Sequence, residues 1–283
     1  MNRWQVGDVK ITRFVEMETV SKGTFVLPDA TLENIQSAGE WLRSHFADEA
    51  GRVRMSIHAF LVESDGKRII VDTCLGNDKP RGFPGWNMLQ TSFLADLEQG
   101  GFPRNSIDLV LCTHLHVDHV GWNTMLVDGR WVPTFSTARY LIGRKEWAHW
   151  SVQEDKFSRD PIDDSVRPIV DAGLADLIDD TQRITSDIWL EPTPGHTPGH
   201  FSVRIASRGE EAVITGDLMH HPVQCEHPEW NCGFDWDHEL ARKTRRDFLA
   251  RYSDKPVLVL GTHFATPSAG HIVKAGDRSR LEV

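Results

Sequence analysis

Four side chains of the kinds that bind metal ions lie within six residues of one another in this chain. They are His114, His116, Asp118 and His119, in the stretch Leu-Cys-Thr-His-Leu-His-Val-Asp-His-Val-Gly. Neutral imidazole and carboxylate groups bind zinc and similar divalent cations. With 14 histidines among 283 residues, this spacing would arise by chance in roughly a few of every thousand such chains. The motif therefore predicts a metal centre, and a metal ion that acidifies water is suited to hydrolysis.

The motif follows an apolar run, Ser106–Cys112, that has no helical period and predicts a strand buried on both faces. Because side chains alternate along an extended chain, His114 and His116 would leave the carboxyl end of this strand on the same side. Asp118 and His119 would then turn back toward a second ion, at the start of a helix or loop. One motif can thus supply most of two adjacent metal sites.

Three further candidate ligands occur later in the chain. His196 lies in the turn Pro-Gly-His-Thr-Pro-Gly, Asp217 follows the apolar run Ala212–Thr215, and His263 follows the run Val257–Gly261. A carboxylate at the end of an apolar strand is costly to bury unless it is paired or bound to a metal, which makes Asp217 the most informative of the three. A two-metal site needs more ligands than the first motif supplies, and these residues would complete it.

The rest of the sequence predicts an α/β protein. Helical periodicity is present at Leu89–Glu98, Arg144–Trp150 and His238–Tyr252. Because helices and strands alternate irregularly, we expect mixed sheets and not a regular parallel sheet. The strand candidates are Val9–Val15, Ser56–Glu63, Arg68–Asp72, Ile107–Thr113, Ala138–Ile142, Ile188–Glu191, Phe201–Ile205, Ala212–Thr215 and Val257–Gly261.

A chain of this length can form a single domain, and we expect one domain over residues 1–283. Two more polar segments, Ser21–Arg54 and Ser151–Arg183, interrupt the series of strands. They contain helix-like patches at Leu32–Phe46 and Ile169–Ile178. Insertions between core strands commonly form the walls of a binding site, so these two segments are expected near the active-site cleft.

The formal net charge is −10 at pH 7, without a basic run that would follow a phosphate backbone, which argues against nucleic acid as a partner.

The first residues lack the apolar region of a signal peptide, and no apolar stretch is long enough to span a bilayer, so we expect a soluble cytoplasmic protein with no membrane partner. The four cysteines form no Cys-x-x-Cys pair, so we expect reduced thiols; they are Cys74, Cys112, Cys225 and Cys232.

On these motifs, which arrive in the family's order, the chain resembles the metallo-β-lactamase superfamily over nearly its whole length. An early strand, Arg68–Thr73, looks like the one whose Asp72 orients the ligands. The resemblance implies a four-layer αβ/βα sandwich with two mixed sheets and two divalent cations, with Zn²⁺ favoured and Mn²⁺, Fe²⁺ or Co²⁺ as alternatives. It further implies that one ion is held by His114, His116 and His196, the other by Asp118, His119 and His263, and that Asp217 bridges them.

Departures from the family's patterns indicate which branch of the superfamily the chain resembles most. The chain lacks the basic or extra domains of the nucleases and the basic helical carboxyl-terminal region of the glyoxalase branch. It resembles most the quorum-quenching lactonases and the organophosphate-hydrolase-like group. Lactonases commonly carry a tyrosine three residues past the bridging Asp, and here His220 stands at that position.

The mechanism predicted from this resemblance is attack of a metal-bridging hydroxide on a small ester or lactone. Asp118 would accept or relay the proton, and His220 would donate to the oxyanion or the leaving group. Ten Trp and 13 Phe favour an apolar acyl or aryl substrate such as an acyl-homoserine lactone or an aryl or alkyl ester, with a phosphotriester also open. A glyoxalase-II-like thioester hydrolase, a mononuclear iron persulfide dioxygenase and a silent metal-binding module stay as alternatives, and related enzymes suggest a homodimer.

Overall fold

A computed structural model describes residues 2–283. Its residues group into two compact units. Unit 1 contains the described residues up to Glu16 together with Ile57–Asp187, and unit 2 contains Met17–Ser56 and Ile188–Val283. The expectation that residues 1–283 act as one domain stays a prediction.

The strands recur throughout both units. They are β1 (Arg3–Val6), β2 (Val9–Ser21), β3 (Val53–Ser64), β4 (Lys67–Val71), β5 (Leu109–Cys112), β6 (Thr124–Val127), β7 (Arg130–Pro133), β8 (Arg139–Gly143), β9 (Ala175–Ile178), β10 (Ile188–Pro192), β11 (Phe201–Ser207), β12 (Glu210–Ile214), β13 (Val257–Leu260), β14 (Ala269–Ala275) and β15 (Arg278–Glu282).

Most helices are short. They are α1 (Leu32–Ser37), α2 (Glu40–Arg43), α3 (Phe93–Gln99), α4 (Val117–Val120), α5 (Arg144–Trp150), α6 (Lys156–Pro161), α7 (Arg167–Asp171), α8 (Val223–Glu226) and α9 (His238–Tyr252), with a π-helical turn at Ile162–Val166. Within residues 2–283, no helix combines the length and the apolar character needed to cross a membrane.

The seven-stranded sheet has the order β1-β2-β3-β4-β5-β8-β9. Strands β4, β5, β8 and β9 run parallel, whereas β1 with β2 and β3 with β4 are antiparallel. Val110, Leu111 and Cys112 of β5 are fully buried, as expected for a parallel strand covered on both faces. The histidine-rich motif begins two residues after β5 ends. The sheet thus delivers the motif at the carboxyl edge of its parallel strands, where α/β folds commonly carry their sites.

The six-stranded sheet of unit 2 has the order β10-β11-β12-β13-β14-β15. Only β12 and β13 are parallel neighbours, so Asp217 and His263 follow two adjacent strands at the same edge. Strand β11 is antiparallel to β12 with Val203 opposite Ile214, which places the turn before β11, with His196, at that edge too. Both large sheets are therefore mixed, as predicted, while β6 and β7 form a separate two-stranded antiparallel sheet.

The segment Ser21–Arg54 contributes to the hydrophobic core of unit 2. Leu27, Ile35, Leu42 and Phe46 are buried in one cluster with residues of the six-stranded sheet such as Val259. The apolar side chains of α1 and α2 therefore stabilise the unit by burial. The expected position of this segment near a cleft stays a prediction.

The segment Ser151–Arg183 is anchored in unit 1 through a buried ion pair. Asp164, in the π-helical turn, accepts two hydrogen bonds from the Arg81 guanidinium, at 2.6 and 2.9 Å. The Lys79 ammonium lies 3.5 Å from the same carboxylate, donates to the Thr124 hydroxyl and stacks on the Trp131 ring. Burial raises the pKa of Asp164, but the hydrogen bonds and charges of Arg81 and Lys79 outweigh it and lower the pKa.

All nine predicted strands are present, and the helices at Arg144–Trp150 and His238–Tyr252 have the predicted bounds. The helix predicted from Leu89 begins only at Phe93. The helix-like patch Ile169–Ile178 was wrong in its second half, because the chain turns at Gly173, whose φ is 68°, and continues as β9. A glycine with positive φ ends a helix, and the apolar residues that follow it suit either a helix or a strand.

We expect Asp164→Ala to lower the free energy of unfolding by about 3 kcal/mol, because it leaves the Arg81 and Lys79 charges buried without their carboxylate. The matched control is Asp176→Ala, which removes the partner of Arg139 in a pair whose side chains are 43% and 44% exposed. That loss should stay below about 1 kcal/mol. Urea unfolding followed by circular dichroism measures both, and equal losses would contradict the anchoring role.

Candidate metal centre

The unit 1 cluster contains the four residues of the motif. Strand β5 delivers His114, His116 precedes α4, and Asp118 and His119 lie within α4. The ring centroids of His114 and His119 are 4.0 Å apart, and those of His114 and His116 are 4.8 Å apart. His114 and His119 are fully buried. The short helix thus folds the second half of the motif back onto the first half.

Asp72 holds this cluster in place. Its carboxylate accepts hydrogen bonds from the backbone N–H and the hydroxyl of Thr113, at 2.8 and 2.9 Å, and lies 3.0 Å from Nδ1 of His119. Nδ1 of His114 lies 3.1 Å from the Thr113 hydroxyl. With φ of 58°, Asp72 has a left-handed backbone conformation that is uncommon outside glycine. This conformation, directly after β4, lets the Asp72 carboxylate contact both Thr113 and His119, which follow the neighbouring strand β5.

The unit 2 cluster surrounds the carboxylate of Asp217 with three imidazole rings. The Nε2 atoms of His263 and His220 lie 3.1 Å from its oxygens, and that of His196 lies 3.5 Å away. All four side chains are at least 96% buried. The backbone N–H of Asp217 donates to Nε2 of His200 at 2.8 Å. His200, a weak candidate for catalysis from the sequence, therefore has a structural role here.

Partners distant in the sequence hold the Nδ1 atoms of two of these rings, those of His196 and His263. Nδ1 of His196 lies 2.9 Å from Asp235, and Nδ1 of His263 lies 3.1 Å from the Ser56 carbonyl oxygen. The buried Arg245 guanidinium lies 3.7 Å from Asp235. A Cβ at Gly195, next to His196, would lie 2.4 Å from the Ala241 backbone nitrogen, so only glycine fits this turn.

The unit 2 cluster favours positive charge. Burial lowers the pKa of His196, but the hydrogen bond to Asp235 outweighs it and raises the pKa to about 9. Burial also lowers the pKa of His220, yet the charges of Cys232 and Asp217 raise it well above its usual value. Burial raises the pKa of the Cys232 thiol, while His220 and His196 lower it to about 7. Carboxylates and a thiolate that stabilise imidazolium will also stabilise a bound cation.

His221, another weak candidate from the sequence, faces the core instead. Its Nε2 lies 2.9 Å from the Phe46 carbonyl oxygen, and burial lowers its pKa to about 4. The ring is therefore neutral near pH 7 and serves as a structural partner of the Phe46 backbone.

The two clusters fit divalent cations by the way their rings are held. In His114, His119, His196 and His263, Nδ1 has an oxygen partner. Such a partner leaves Nε2 as the ligand atom and sets the tautomer that a metal requires. Imidazole and carboxylate donors match zinc and other borderline metals. All the predicted metal ligands thus lie in one of the two clusters, and their union in a single centre stays a prediction.

Asp235 was missed from the sequence, although it supports a predicted ligand directly. It lies in a loop, 39 residues from His196, without an apolar strand before it. The sequence offered one indirect signal, the crowding of Trp, Cys and Asp in the segment Trp230–Trp236.

Comparison with known proteins agrees with the family resemblance found in the sequence. A family model described as the metallo-beta-lactamase superfamily matches residues 52–263. Proteins named probable metallo-hydrolases in Mycobacterium bovis and Mycobacterium tuberculosis are each 25% identical over 190 residues, which cover 60% of this chain. The match spans 58% of the length of those relatives.

Two solved structures align along almost the whole chain. The hydrolase AbOPH of the beta-lactamase superfamily is 26% identical, with a TM-score of 0.81 over 99% of this chain and 95% of that one. The dizinc quorum-quenching lactonase AidC, solved with its product N-hexanoyl-L-homoserine, is 20% identical, with a TM-score of 0.78 over 99% and 96%. The second likeness, at its low identity, concerns the fold alone.

We expect Asp235→Asn to weaken divalent metal binding by about 10- to 100-fold, because an amide fixes the His196 ring less well than a carboxylate does. Asp237→Asn is the matched control, since Asp237 caps α9 by accepting from the Glu239 and Leu240 N–H groups and asparagine caps equally well. Competition with a chromophoric chelator measures the affinity. Unchanged affinity in Asp235→Asn would contradict the positioning role.

Proposed function

Because this chain belongs to the metallo-beta-lactamase superfamily, we propose that it is a metal-dependent hydrolase that cleaves an ester or lactone bond. The predicted fold class is confirmed by the family match and by the two mixed sheets. The observation that carries the proposal is the set of buried histidines whose Nδ1 atoms are held by oxygen partners, four rings in two clusters.

We further propose that the two clusters form one dinuclear centre. His114, His116 and His196 would hold one cation, Asp118, His119 and His263 would hold the other, and Asp217 would bridge them. When bound, the ions would polarise the scissile carbonyl and lower the pKa of a water molecule. The presence of a dizinc lactonase among proteins of the same fold supports two zinc ions as the resident metals.

His220 is the proposed proton donor to the leaving alkoxide. It lies three residues after Asp217, is almost fully buried, and its Nε2 is 3.1 Å from the Asp217 carboxylate. A protonated imidazole there can stabilise negative charge that develops on a leaving oxygen. Asp118, which is only partly buried, would accept the proton of the attacking water.

The substrate is proposed to carry an apolar acyl or aryl group. Phe25, Phe234 and Trp236 of unit 2 are 48%, 37% and 54% exposed. The Phe25 and Phe234 rings meet edge to face at 5.5 Å, and the backbone N–H of Trp236 donates to the His196 carbonyl oxygen at 3.0 Å. Exposed aromatic rings on a segment whose backbone is hydrogen-bonded to that of a proposed ligand histidine are suited to an apolar substrate wall.

The test of the proposed function is a substrate panel on protein of known metal content. It comprises acyl-homoserine lactones of graded chain length, aryl esters, a phosphotriester and a glutathione thioester. We expect two metal ions per chain and the highest kcat/KM on a lactone or aryl ester, because the two-ion centre stabilises an alkoxide leaving group. A preference for the thioester, or one iron with oxygen uptake, would contradict the proposal.

We expect His220→Asn to lower kcat for a lactone by about 100-fold or more, with the metal content unchanged, because general acids contribute on this scale. Esters with a good leaving group such as nitrophenolate need no proton and should lose much less. His221→Asn is the control, since His221 bonds to the Phe46 backbone and its loss should not alter the dependence on the leaving group. Equal losses on both substrates would refute the donor role of His220.

A further inference from the structure

Cys232 is a buried thiol that the proposed hydrolysis does not use. One ligand atom each of Cys232, His196 and His220 lies within 4.8 Å of those of the other two. All three side chains are buried, at 0%, 3% and 4% exposure. Two imidazoles and a thiol at this spacing match the donor set and the dimensions of a small metal site.

The cluster is held rigidly from outside. The Cys232 sulfur accepts a hydrogen bond from the Phe234 N–H at 3.4 Å, and the Cys232 N–H donates to Asp235 at 2.9 Å. The His220 N–H donates to the Gln224 side chain at 2.7 Å, and that side chain in turn donates to the Trp230 carbonyl oxygen. The cluster therefore needs little reorganisation to bind an ion, which favours affinity.

His220 adds a second observation that points to a ligand. Its Nε2 lies 3.1 Å from Asp217, whereas its Nδ1 makes no hydrogen bond of normal geometry within residues 2–283, and the ring interacts with the Cys232 side chain. Leaving a buried polar nitrogen without a hydrogen bond costs free energy, so such an atom is expected to have a function. Coordination of a cation would satisfy it.

We propose that His196, His220 and Cys232 form a second metal-binding position, selective for a soft or borderline cation such as Cu⁺ or Cd²⁺. Thiolate and imidazole donors prefer such ions over Mg²⁺ or Mn²⁺. On binding, the thiol loses its proton to solvent and a sulfur–metal bond forms, without oxidation or reduction.

This position shares His196, a proposed ligand, and His220, the proposed proton donor, with the hydrolytic centre. Nδ1 of His196 is bonded to Asp235, so its Nε2 can serve one ion at a time. A soft cation held by Cys232 would therefore remove one ligand from the hydrolytic centre and inhibit the enzyme. This consequence, unlike the binding itself, rests on the proposed function.

Titration of the metal-free full-length protein with Cd²⁺ tests the binding. We expect an ultraviolet thiolate-to-cadmium charge-transfer band in the wild type and its loss in Cys232→Ser, with Cd²⁺ affinity at least about tenfold lower. Cys225→Ser is the control, because Cys225 is an equally buried thiol of unit 2 whose sulfur contacts Met219. It should keep the band, and a band that persists in Cys232→Ser would overturn the proposal.

Cadmium NMR of the wild type gives a readout that does not depend on the folding of a variant. A shift typical of one sulfur and two nitrogen ligands supports the site, and a shift typical of oxygen and nitrogen ligands alone overturns it. In an activity assay of zinc-loaded protein, Cd²⁺ should inhibit the wild type at a concentration at least about tenfold below that needed for Cys232→Ser. If no substrate is turned over, the proposed function fails while the spectroscopic result still decides the cadmium site.

Discussion

Burial of imidazole rings imposes the condition on which the rest of the site depends. A buried ring has two nitrogens. Each of them needs a hydrogen-bond or metal partner, because burying a nitrogen without a partner costs free energy relative to leaving it in water. In both units one nitrogen is given to an oxygen of the protein, from Asp72, Thr113, Asp235 or the Ser56 backbone. The other nitrogen of each ring, Nε2, is then the atom that can serve as a ligand within the cluster. The outer partners thus decide which atom of each ring is available for chemistry.

Both sheets meet this condition through the same construction. In each sheet, parallel neighbours end side by side, and the residues directly after those ends carry the polar groups. The apolar strands end where the polar residues begin. The hydrophobic core and the polar cluster are therefore adjacent, but each is formed by its own residues. Short connections such as α4 and the turn at Gly195 then set the direction of each ring. A few backbone angles, notably at Asp72, are specialised for this purpose.

The ligand candidates could be predicted from the sequence because each follows a local pattern, an apolar strand or a Gly/Pro turn. Their supports could not be predicted, because they are brought in by tertiary structure. Ser56 acts on His263 through a backbone carbonyl 207 residues away, and a carbonyl oxygen has no residue-type signature. Asp235 lies in an irregular loop that resembles any other polar loop. Likewise, periodicity could not distinguish a helix from a strand after Gly173, where a positive φ and pairing with β8 decided the outcome.

The discontinuity of unit 2 has a consequence for how the chain acquires its structure. Leu27, Ile35, Leu42 and Phe46 are synthesised early, but the residues of β12, β13 and α9 on which they pack come after residue 209. Until those residues emerge, an apolar segment near the amino terminus has no native surface to cover. Contacts of such sequence separation are closed late and slow folding. The chain should therefore depend on its last quarter for solubility during synthesis, and a stalled or truncated product would be prone to aggregation.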